Sequence, residues 1–214
     1  MAESTDILTP ILGFAGVVIT SLGTLVVKKW IDKKDADSVV TDGELQFTLV
    51  EYNELHQRML ELQSDTPADR FLIMKAENGV TQPRFATVIY EQFRTRQMFI
   101  AFLVSFYTRI LIDDSYREML KAAELKGVCE METATMPDCK LRGFYEQEKV
   151  TFSNCYFLTR YERGGGATII YATIATHSPE GFTKAEKFKM AVFADYLRET
   201  FQRKTDKNSE DTKQ

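Results

Sequence analysis

Few groups of residues in this chain have the types and spacing that chemistry requires. Asp113 and Asp114 are adjacent, and a carboxylate doublet can work as general acid and base or hold a cation. Followed by Ser115, the same doublet supplies the side-chain acceptors of a helix N-terminus. The helix would run through Ala123 and end at Gly127, and capping is the favoured use. Gly164, Gly165 and Gly166 form a glycine run. A phosphate-cradling loop needs a Gly-Lys-Ser/Thr ending, or spaced glycines, and a helix after it. Here β-rich sequence flanks both sides, so the run reads as a hairpin tip. Neither His56 nor His177 has a nucleophile and an orienting acid that the sequence can assign to it. Cys129, Cys139 and Cys155 share no C-x-x-C spacing and have too few partners for zinc. They read as free thiols acting as small core hydrophobes. Arg84, Arg94 and Arg96 flank a β-rich stretch. They suit an anionic ligand or lipid headgroups, set against the commoner role of solvated surface. No catalytic set, metal site or cofactor motif assembles from these residues, so a protein that is not an enzyme and carries no cofactor is expected.

The elements that must position them follow from periodicity. Between Glu44 and Gln63, the residues Leu45, Leu49, Tyr52, Leu55, Met59 and Leu62 recur at intervals of three and four, predicting an amphipathic helix. The interval from Tyr52 to Leu62 also matches two heptads, a seam through which copies could associate. Asp65-Thr66-Pro67 breaks that helix. RFLIMKAE, residues 70–77, reads as a central strand closed by Asn78-Gly79. Ala86–Arg94 alternates as a second strand. Met98–Ile112 is apolar enough for a strand or a buried helix, and periodicity leaves both open. A helix after Asp113, a strand over Val128–Thr133 and a short helix from Pro137-Asp138 to Glu148 come next. A hairpin of Val150–Tyr161 with Ala167–His177 follows. Thr183 and Glu186 have the spacing of a capping box for a last helix reaching about Gln202. The residues from Lys204 lack apolar side chains and predict a disordered tail, 204–214. Two hairpin-like pairs beside helices make an α+β domain with a central antiparallel sheet, residues 44–203. About 160 residues are enough for one core, and a net charge of −4 gives no ground for a nucleic-acid partner.

Ahead of that domain, positions 7 to 27 (Ile7 to Val27) carry no charge, and Lys28, Lys29 and Trp30 follow at once. As a helix this stretch is roughly 31 Å long, near the hydrocarbon thickness of a bilayer. Pro10 after Thr9 suits a helix start, and the lysines can reach the headgroups. The acidic opening MAESTD and the lack of a cleavage site argue against a signal peptide. A buried core helix would be short for such a run. The expectation is a single transmembrane helix over 7–30, a short external N-terminus at 1–6 and a linker at 31–43. The lysines place the C-terminal domain in the cytoplasm by the positive-inside rule, where unpaired cysteines also belong.

The long first helix followed by DRFLIMKAENG and a second strand resembles the GAF-like sensor fold. So does the C-terminal half. There a strand at CEMET, a short helix with Phe144-Tyr145 and a hairpin ending YATIATHS precede EGFTKAE, which opens a final helix. The resemblance covers residues 44–203 and extends to small membrane-tethered GAF-like proteins of bacteria and phages. It implies a small-molecule sensor or interaction module. A pocket would be lined from the strands and the loop around Asn78–Phe85, with Asn78, Arg84, Phe85 and Tyr90 as ligand-binding candidates. The chain departs from the family in lacking its cyclic-nucleotide signature and any Cys-His pair for a bilin. The expected function is therefore sensing of an unknown small molecule, or protein interaction, at the membrane face. Homo-oligomers would form through the membrane helix and the Glu44–Gln63 helix. The rival is a structural or assembly protein, of phage or viral type, using the domain as a scaffold without ligand.

Overall fold

A computed structural model describes residues 49–77, 79, 82–94, 109–163 and 166–211, all within one compact unit, Phe47–Gln214. The residues expected to form an anchor, Ile7, Pro10, Val27, Lys28, Lys29 and Trp30, the expected linker 31–43, Asn78 and most of 98–112 lie outside the described residues. Among the described residues no helix is long and apolar enough to cross a membrane.

In chain order the elements are α1 (Leu49–Asp65), β1 (Arg70–Glu77), β2 (Phe85–Phe93), β3 (Ile110–Leu111), α2 (Asp114–Lys126) and β4 (Val128–Glu132). A 3-10 turn (Thr133–Thr135), α3 (Lys140–Gln147), β5 (Phe152–Arg163), β6 (Gly166–Thr176) and α4 (Lys184–Asp211) complete the order. The strands form one antiparallel sheet in the order β3-β2-β1-β6-β5-β4. This is the α+β domain expected. β1 lies at the centre, and its near-continuous apolar run is buried almost throughout, as a strand covered on both faces requires.

Pleating divides β1 between two layers. Leu72, Met74 and Ala76 face a core built with Tyr116, Met119 and Leu120 of α2 and Leu141 and Tyr145 of α3. Phe71 and Ile73 face the opposite way, where Leu55 and Met59 of α1 and Met190, Phe193 and Leu197 of α4 are buried. α1 and α4 run antiparallel. Their contacts read Glu51 with Lys204, the Arg58 guanidinium 4.1 Å from the Tyr196 ring centre, and Asp65 with Lys189. α4 continues to Asp211, so residues 204–211 are helical where a disordered tail was expected. Once a helix is nucleated each added residue brings its own hydrogen bond, and apolar side chains are not needed to extend it.

Local signals place most boundaries. Thr183 N–H donates to Glu186 and Glu186 N–H to Thr183 Oγ1 at 2.7 and 3.3 Å, closing the capping box. Gly127 ends α2 at φ 78, a left-handed position that glycine adopts without a Cβ penalty. β5 and β6 pair out to Arg163 opposite Gly166, so the glycine run joins two strands of a hairpin. Residue Ile89 is the extra residue of a β-bulge opposite Ile73 and Met74, and it re-aims the rest of β2.

Candidate functional site

The layer between the sheet and α2/α3 carries the polar chemistry. Its interior is closed by three tyrosines. Tyr116 and Tyr171 hydrogen-bond through their hydroxyls, and Tyr145 donates to Ser153 Oγ at 3.0 Å. Burial raises the pKa of all three phenols. They stay protonated, with one hydroxyl of the Tyr116–Tyr171 pair donating to the other. Tyr116→Phe should cost about 1–3 kcal/mol, because it leaves the Tyr171 hydroxyl buried without its partner. The double variant with Tyr171→Phe should recover most of that loss, which urea denaturation of both proteins would measure.

Arg70 opens β1 inside this layer. Its side chain is 2% exposed, it pairs with Glu148 just after α3, and its guanidinium lies 5.1 Å from the centre of the Tyr145 ring. Burial pushes the Glu148 carboxyl up from its ordinary range, with the Arg70 charge pulling against it. The sequence carries no signal for this pair. A charged residue opening an apolar strand reads as an exposed end, and its partner lies 78 positions away.

Beside the closed interior, α2, β4 and the segment leading into α3 enclose an open cleft of about 500 Å³. Met119, Cys129, Met131, Met136 and Cys139 line it, with Asp114, Glu118, Glu130 and Glu132 at its margin. Asp113 holds two walls together. One carboxylate oxygen accepts the Tyr116 N–H at 2.9 Å, capping α2, and the other accepts the Lys140 N–H at 3.0 Å at the start of α3. Asp113 is therefore a cap, as its position implied, and Asp114 pairs with Arg117 in the first turn of α2. Asp113→Ala should destabilise the domain by about 1–2 kcal/mol and increase hydrogen exchange in the first turns of both helices.

The cysteines are free thiols. Burial raises the pKa of Cys129, and that of Cys155 well above its ordinary value, so neither is a thiolate nucleophile. His177 does have an acid beside it, which the sequence did not reveal. Asp69 Oδ2 lies 3.4 Å from its Nδ1. That carboxylate also accepts the His177 N–H at 2.8 Å and belongs to a corner joining the start of β1 to the end of β6. Among the described residues no hydroxyl or thiol bonds to the His177 ring.

The residues anticipated as ligand contacts do not converge. Tyr90 is buried under α1, its ring centre 5.3 Å from that of Tyr52 and its hydroxyl 3.4 Å from His56 Nδ1. That is the face opposite the cleft. Arg84 is exposed, and its guanidinium and that of Arg109 lie 5.4 and 4.8 Å from the Phe85 ring centre. Phe85 is about 17 Å along β2 from Tyr90. Arg94 is spent on the carbonyls of Thr66 and Ala68. No spacing in the sequence links Met119, Met131 and Met136 to Cys129 and Cys139, which line the cleft with them. Only the packing of α2 against β4 gathers them.

No protein-family profile matches the sequence, and no curated protein does. Solved structures do match the architecture. The GAF domain of a two-component sensor histidine kinase from Bacillus halodurans superposes with a TM-score of 0.51 at 9% identity, over 79% of this chain and 100% of that one. A far-red cyanobacteriochrome photoreceptor superposes with a TM-score of 0.50 at 10% identity, over 84% and 98%. The fold is that of a GAF domain. At these identities the likeness concerns the backbone alone.

Proposed function

We propose that this chain is a membrane-anchored, non-enzymatic sensing module whose GAF domain binds a small ligand at the cytoplasmic face. The observation that carries the reading is the cleft of about 500 Å³ between α2, β4 and the start of α3. Concave sites of this size, largely apolar with a few polar groups at the margin, suit small molecules. The GAF fold, shared with a sensor kinase and a photoreceptor, supports a sensing role. The uncharged run from Ile7 to Val27 and the lysines after it supply the anchor and its direction.

A second reading, self-association as a scaffold, is favoured by a different surface. Leu60 on α1 and Phe188 and Val192 on α4 are exposed, on helices that pack side by side. The two readings separate in one measurement, native mass spectrometry of the full chain released from detergent. A sensor retains a bound ligand that is lost when Met131→Trp fills the cleft. A scaffold shows oligomers without adduct, and those oligomers dissociate in Phe188→Glu.

A further inference from the structure

We propose that the cleft takes a soft monovalent metal cation, copper(I), held by sulfur. The proposal rests on the reading of the cleft as the ligand site and names the class of ligand. Five sulfur side chains line that one cleft: Met119, Cys129, Met131, Met136 and Cys139. The chain has three cysteines and eight methionines, so nearly half of its sulfur meets there. Cys129 and Met131 are two apart on β4 and therefore project to the same side of the sheet. Directly opposite Cys129 on β5 stands Cys155, a third thiol behind the cleft wall.

The donor set selects the metal. Among the described residues no three of His, Cys, Asp and Glu group as a metal site, so zinc, which favours four such ligands in a structural site, is poorly served. Thioethers and thiols together are what copper(I) prefers. The margin suits a cation as well. Asp114, Glu118 and Glu130 are ion-paired with Arg117, Lys121 and Lys187, whereas Glu132, also at the rim, has no ion-pair partner among the described residues. Binding needs no redox partner. A copper–sulfur bond replaces the S–H bond of Cys129, the proton passes to solvent, and the metal stays in its +1 state.

The test uses the full chain in detergent, anaerobically, labelled with [methyl-13C]methionine and titrated with silver(I) as a redox-inert probe. Copper(I) competition against bicinchoninate gives the affinity. One equivalent of silver should shift the methyl signals of Met119, Met131 and Met136 and leave those of Met59, Met74 and Met190 in place. Cys129→Ser should weaken copper(I) binding by about tenfold or more, Met131→Leu should weaken it to a lesser degree, and Met190→Leu should not. Silver bound without methyl shifts, or copper affinity indifferent to both Cys129→Ser and Met131→Leu, overturns the proposal. The wild-type methyl spectrum decides the matter even if a variant misfolds. An organic adduct retained in the cleft with no silver binding overturns the metal assignment while leaving the sensing reading intact. Absence of both overturns both.

Discussion

Glu148→Ala lowers the stability of the domain by about 3–5 kcal/mol, the cost of removing one partner of a buried ion pair. Arg70 lies within the α2/α3 layer at 2% side-chain exposure and Glu148 at 12%, so water cannot replace the lost carboxylate. A domain of this size is stable by about 5–15 kcal/mol, and its melting temperature should fall by on the order of 10 °C. Far-ultraviolet circular dichroism of the two proteins would measure the shift. Replacing both partners, Arg70→Met with Glu148→Leu, should restore most of the loss or exceed wild type, since paired charges seldom outperform packed apolar groups. If Glu148→Ala melts within a degree of wild type, the pair is solvated and this account of the layer fails.

The same carboxyl contributes a pH dependence whose sign is fixed. Burial raises the Glu148 pKa in the folded protein above its ordinary value of 4.5, against the pull of Arg70. The folded state therefore holds this proton more tightly than the unfolded chain. Its contribution to stability is complete below the ordinary carboxyl range and is lost as pH rises through the folded value. Glu148→Gln should flatten that part of the stability profile, measured as urea midpoints from pH 4 upward.

Fold and site differed in how far the sequence revealed them. β1 could be bounded at Arg70 and Glu77 because an apolar run meets charge at both ends. The capping box at Thr183 and Glu186, and the stop at Gly127, are local chemistry read within three or four residues. The α2/α3 layer is not local. Arg70 meets Glu148 and Tyr116 meets Tyr171 only because β1 lies beside β6 and α3 folds back over them. Tyr90 shows how register decides which face a strand residue takes. The family resemblance made it a ligand candidate, and the bulge at residue 89 and the pleat place it under α1. Which face a strand residue takes depends on register, and one inserted residue reverses it.

On the opposite face, Phe71→Ala should cost about 3–5 kcal/mol, the range for emptying an aromatic site in a core. Phe71 is 1% exposed. Its ring meets Phe193 of α4 edge-on at 5.4 Å and Tyr90 at 6.4 Å, and Tyr90 in turn meets Tyr52 of α1. One side chain at the centre of the sheet thus bears on both helices of the outer layer. The void left by alanine should loosen α1 and α4 together, raising hydrogen exchange in both while α2 and α3 retain their protection. Phe71→Leu keeps most of the volume and should cost much less. A loss of less than about 1 kcal/mol for alanine would mean that α1 and α4 do not pack as a core on this face. Any signal passing from the cleft layer to α1 and α4 would then need a route that avoids β1. If the cost falls in the expected range, β1 is the shared wall. Leu72 and Met74 border the layer beside the cleft and Phe71 borders the helices, so a shift of the strand on one side must be accommodated on the other.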